Sequence, residues 1–143
     1  MTKVTELTQV ATLFRQMIES ADRSKLTEDF ENFPFRSGVD ASILLAQYLI
    51  DLGYGIPNYV RGELYDPRLP LAHAWIELDG IILDITLDGL FSDQPPVIVT
   101  EDLYWHEIFK RLDENPVSIH VFGKRNAAVL RSAYHEIIGR QVH

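Results

Sequence analysis

The dipeptide Asp79-Gly80 constrains this chain more than any other feature. It lies between two runs of alternating pattern, LAHAWIEL and IILDIT. Asp-Gly suits the two positive-φ positions of a tight hairpin turn, so a turn here sets the register of both strands. Leu78 then opposes Ile81, Trp75 opposes Asp84, and His73 opposes Thr86. Side chains alternate across a strand and opposed residues share a face. One face therefore carries Ala74, Ile76, Leu78, Ile81, Leu83 and Ile85, and the other His73, Trp75, Glu77, Ile82, Asp84 and Thr86. A slip of one residue would scramble the clean apolar face, which supports the register.

In that register His73 and Asp84 are diagonal neighbours, with α-carbons about 7–8 Å apart and side chains within hydrogen-bonding reach. A carboxylate holding one imidazole nitrogen selects the tautomer and leaves the other nitrogen as a proton acceptor. This is two members of a catalytic triad. The same pair on an outer face reads equally as two ordinary solvated side chains. Trp75 and Ile82 share the face, however, which argues that it is covered, and a buried His and Asp need partners.

The rest of the chain reads as an α+β order in a single domain, 1–143, with no repeat or Gly/Ser linker. Val4, Leu7, Val10, Phe14, Met17 and Ile18 form the apolar stripe of an opening helix. A second helix, from Val39 to Leu52, is apolar on nearly all sides and so is expected to be buried. Ser37 is placed to cap it in a capping box with Asp40, and Gly53 to stop it. Alternation from Asn58 to Tyr65 predicts a strand. Val97–Thr100 reads as a short strand, Thr100 as the cap of a third helix over 101–112, Val117–Phe122 as the last strand, and about 124–139 as the final helix. Tyr59, Tyr65 and Arg61 are candidates for a groove wall beside His73, or equally for outward strand residues.

Composition excludes several classes. Thirteen Lys and Arg against 21 Asp and Glu leave a net charge of −8, which repels phosphate backbones and argues against nucleic acid. No apolar run approaches the roughly 20 residues of a membrane span. The opening MTKVTELTQV lacks the pattern of a secretory signal, so a cytoplasmic location is expected. Cysteine is absent from the chain, which removes disulfides, thiolate metal sites and a thiol nucleophile. His106, His120, His135 and His143 form no metal-ligand spacing with one another or with His73, and His106 is expected on the surface of the third helix. No phosphate-cradling loop appears. Neither a metal nor a cofactor is predicted.

FPFRSGVDASILLAQYLIDLGYG and HAWIELDGIILDIT together resemble the transglutaminase-like proteins of the papain-like cysteine-hydrolase superfamily. The first stretch is similar to the nucleophile helix of a bacterial subgroup, and the second to the strands that carry the His and the Asp. His73, Trp75, Asp84 and Thr86 fall on matching positions, and the likeness spans roughly residues 33 to 91. It implies a papain-like core, a buried helix packed on an antiparallel sheet, with a cleft between the helix start and the hairpin. It also implies a Cys that attacks an acyl carbon, activated by the helix N-terminus and the His. Laying Phe33, Pro34, Asp40, Ala41 and Ser42 on the pattern puts Gly38 at that Cys.

The expectation is therefore a domain without its nucleophile, binding a peptide, an amide ligand or a protein partner in the cleft of His73 and Asp84 with Trp75, Tyr59 and Arg61 as ligand contacts. An acyl hydrolase or acyltransferase using Ser37 as nucleophile is the alternative. Ser37 lies one residue off, and one residue rotates direction by about 100° at a helix start, so its capping role is the stronger reading. A structural subunit with an occluded cleft is a third.

Overall fold

The computed structural model describes residues 2–64, 71–119 and 123–139. Helix α1 (Lys3–Ser20) is followed by two single-turn 3-10 segments and by α2 (Gly38–Asp51). Strands β1 (Asn58–Leu64), β2 (Leu71–Leu78), β3 (Ile81–Asp84), β4 (Ile98–Thr100) and β5 (Lys110–Pro116) precede α3 (Gly123–Gly139). The strands make one five-stranded sheet in the order β4-β3-β2-β1-β5, antiparallel throughout. The architecture is α+β.

The hairpin register is the one the turn dictates: Leu78 pairs with Ile81, Glu77 with Ile82 and Ile76 with Leu83. Asp79 (φ 52°) and Gly80 (φ 77°) both occupy the left-handed region, as a two-residue hairpin turn requires. Lys3 closes an ion pair on Asp79, tying the start of α1 to the turn.

The apolar face of the hairpin packs under the helices. Ala74, Ile76, Leu78, Ile81, Leu83 and Ile85 join Leu7, Phe14 and Ile18 of α1 and Leu44, Leu45 and Leu49 of α2 in one core. The other face is not left to solvent. Val60, Trp75 and Ile82 form a second cluster with Leu87 and Phe109, which reach over the sheet from connecting segments.

Two expected elements do not form. The stretch 101–112 holds only a single turn, His106–Ile108, before it becomes β5. Thr100 caps a turn instead, its Oγ1 accepting from the Asp102 amide at 2.9 Å. The last strand is Lys110–Pro116 rather than Val117–Phe122, and of that run residues 120–122 lie outside the described residues. Strand β5 is exposed at every position. It carries no apolar alternation for a pattern to reveal, and its pairing with β1 makes it a strand.

Candidate functional site

Residue 84 ends β3, and His73 stands on β2 at the matching height. His73 Nε2 lies 2.7 Å from Asp84 Oδ2, in a buried contact. The diagonal neighbours of the hairpin thus meet as the register predicts. His106 Nε2 lies 2.8 Å from the same Oδ2, so two imidazoles converge on one oxygen. Asp84 Oδ1 accepts the Thr86 amide at 3.1 Å. Burial on its own would raise the carboxyl's pKa. Attraction to the His73 ring and hydrogen bonds from both imidazoles outweigh burial and hold Asp84 below the ordinary aspartate range. It is an anion, so each Nε2 that meets it is the protonated nitrogen. In neutral His73 the lone pair is then at Nδ1.

His106 was expected on a helix surface as an unremarkable polar group. It is instead buried, in edge contact with Trp75 at 4.7 Å between ring centroids. No motif or spacing announces it. Flanking Trp105 and Phe109 are the only local hint that the residue lies against something apolar.

The start of α2 was expected to be a Ser37–Asp40 capping box. Ser37 is the cap residue by position, and its carbonyl accepts the Ala41 amide at 3.0 Å. Its hydroxyl, however, donates backwards to the Asp29 carbonyl at 2.6 Å. Asp29 Oδ2 takes the Asp40 amide at 3.3 Å, and Asp40 Oδ2 accepts from Thr27 Oγ1 at 2.5 Å. The cap is thus supplied by a side chain from the preceding 3-10 turn. Ser37 is 0% exposed and does not line the cleft described next, so it is not placed as a nucleophile. Ser42 is buried within α2.

A cleft of about 200 Å³ opens at the start of α2, lined by Gly38, Val39, His73, Ala74 and Thr86 among others. Pro34, Arg36, Arg61, Ala72, Gly89 and Leu90 also line it. Gly38 and His73, from the two stretches the resemblance invokes, therefore face one space. At Gly38 a Cβ would stand 3.3 Å from both the Ala74 amide nitrogen and Thr86 Oγ1. The helix start thus presses against β2 where a side chain would otherwise be.

Of the expected ligand contacts, Arg61 lines the cleft. Trp75 does not, being 0% exposed, with its indole Nε1 donating to Glu77 at 3.1 Å and its ring 6.0 Å from that of His73. It backs His73 rather than touching a ligand. Tyr59 is buried in the helix-side core, and Tyr65 lies outside the described residues. Among the described residues no cluster of His, Asp or Glu could hold a metal ion, and no helix is long and apolar enough to cross a membrane.

Comparison with protein-family models, with curated proteins and with solved structures finds no match to this chain.

Proposed function

We propose that this protein is a transglutaminase-like domain with a papain-like core that has lost its nucleophile and uses the cleft at the start of α2 to bind a peptide or amide ligand without turnover. The observation that carries this reading is the pairing of His73 with Asp84 at 2.7 Å beside a cleft that Gly38, and no thiol, lines. A buried imidazole–carboxylate pair is costly to assemble, and here its imidazole lines the cleft while the buried Asp84 holds it from behind. The Ser37 hydroxyl, committed to a backbone carbonyl, favours binding over an acyl-transfer reaction. An open cleft likewise favours a binding domain over an occluded structural subunit.

The test restores the sulfur. Cysteine is otherwise absent, so the Gly38→Cys thiol is the sole site for an alkylating reagent such as iodoacetamide. A helix N-terminus and an adjacent imidazole both favour thiolate. The thiol should therefore react faster than that of an unfolded cysteine peptide at neutral pH, and His73→Ala in the same background should remove the advantage. Circular dichroism confirms that both variants fold. A rate equal to or below the peptide's overturns the reading.

A further inference from the structure

The cleft walls carry a charge opposite to that of the whole chain. The net charge is −8, yet the charged side chains lining the cleft are Arg36 and Arg61, with no acid among the described lining residues. Among the described residues Arg61 has one weak partner, Asp113 at 3.5 Å on the exposed side. Arg36 is held with φ at 58°, a left-handed conformation costly for a residue with a side chain, and its guanidinium lies over the Phe35 ring at 5.2 Å. Among the described residues, neither guanidinium has a carboxylate nearer than that 3.5 Å.

The first residues of α2, Gly38 and Val39, line the same space. The Asp40 amide is taken by Asp29 and the Ala41 amide by the Ser37 carbonyl. The Gly38 and Val39 amides, at the cleft wall, take no hydrogen bond among the described residues. Orphan amides at a helix start favour an anion. Independently, Thr86 is 2% exposed and lines the cleft, and its Oγ1 has no hydrogen-bond partner among the described residues. A buried hydroxyl without a partner is destabilising, and this one stands 3.3 Å from the place of the missing Gly38 side chain. A ligand oxygen seated against Gly38 would satisfy it, after the helix start yields slightly from β2.

We infer that the cleft recognises a small carboxylate. Its oxygens are held by the Gly38 and Val39 amides and the Thr86 hydroxyl, and its charge is matched by Arg61 and Arg36. This rests on the binding reading above and gives it a ligand class. A cleft of about 200 Å³ has room for a small carboxylate.

The experiment titrates the ¹⁵N-labelled chain with N-acetylglycine and, separately, with N-acetylglycinamide, which has nearly the same shape and no charge. The acid should shift the Gly38 and Val39 amides and bind at least about tenfold more tightly than the amide, with affinity falling as salt is added. Arg61→Gln should weaken the acid by about tenfold. Thr86→Val, which replaces the orphan hydroxyl by a methyl, should weaken it too while raising the unfolding midpoint of the unliganded protein. Equal affinities for acid and amide at Gly38 overturn the carboxylate class and leave the binding cleft standing, as does tighter binding of inorganic phosphate. An unchanged affinity in Thr86→Val or Arg61→Gln overturns the seat assigned here. If neither probe shifts the Gly38 amide, the inference fails, and the reactivity of the Gly38→Cys thiol decides separately whether the cleft reading fails with it.

Discussion

His106 and His73 reach the same oxygen of Asp84, at 2.8 and 2.7 Å. The carboxylate therefore spans from the hairpin to the segment folded over its outer face. Replacing it by a neutral amide leaves two buried imidazoles with one poor acceptor between them. Asp84→Asn is expected to cost about 3 kcal/mol in urea unfolding, in the range for breaking a buried pair.

The same group gives an acid limb to the stability curve. Asp84 is held below the ordinary aspartate value of 3.8, so the unfolded chain takes up this proton first. The stabilisation is complete above pH 3.8 and is lost as the pH falls below it. Acid unfolding followed by circular dichroism should be steeper below pH 4 in the parent than in Asp84→Asn.

Asp40 acts in the opposite sense. Burial, partly offset by the Thr27 hydrogen bond, and the charge of Asp29 push its carboxyl up to about 6. The folded state therefore binds this proton more tightly than the unfolded state. Its contribution is lost as the pH rises from 3.8 through about 6. Asp40→Asn keeps an acceptor for Thr27 and removes the titration. It should raise stability at pH 7 by about 1 kcal/mol, a figure reduced for solvent screening, and flatten the parent's decline over that window.

Gly89 forms a close approach that the cleft depends on. A Cβ there would lie 2.5 Å from the Pro34 carbonyl oxygen, and backbone cannot move aside cheaply. Gly89→Ala should destabilise by about 1–3 kcal/mol, as overpacking does. It should also shift the amide resonances of Gly38 and Val39 by displacing the part of the cleft lining that Gly89 and Pro34 share. Unchanged resonances would mean that this part of the lining does not set the cleft.

Arg15 clamps the segment that carries Thr86 and Gly89 to α1. It donates to both oxygens of Asp88 at 2.8 and 2.9 Å and to the Ile85 and Pro96 carbonyls, and it stacks on Phe33 at 4.8 Å. Lysine keeps the charge but not the planar fork. Arg15→Lys should cost about 2 kcal/mol for the bonds lost and speed hydrogen exchange across residues 85–90. Exchange confined to α1 would show that the clamp serves the helix alone.

The hairpin, its register and the meeting of His73 with Asp84 were legible because all are local. A two-residue turn and a period of two determine which side chains share a face, and residues 73 to 84 need nothing else. The burial of the second face was legible from Trp75 and Ile82, though what covers it was not. Phe109 and Leu87 arrive through connecting segments whose path no periodicity encodes. His106 was misplaced for the same reason, since it meets Asp84 from 22 residues away through a stretch that helix-like spacing misrepresented. The capping box failed because Asp29 competes for the Asp40 amide from a turn that folds back on α2.

By itself, the sequence determined the short-range features: a tight turn, alternating strands, amphipathic helices, the absence of any thiol and a Gly at the start of α2. Steric preference and repeat period act over a few residues and survive any tertiary arrangement. Only the folded chain decided which groups share the cleft, that Ser37 turns away from it, that two imidazoles share one carboxylate, and that arginines line an opening in an acidic protein. Those outcomes depend on competition among partners distant in the chain, which is settled by packing and desolvation.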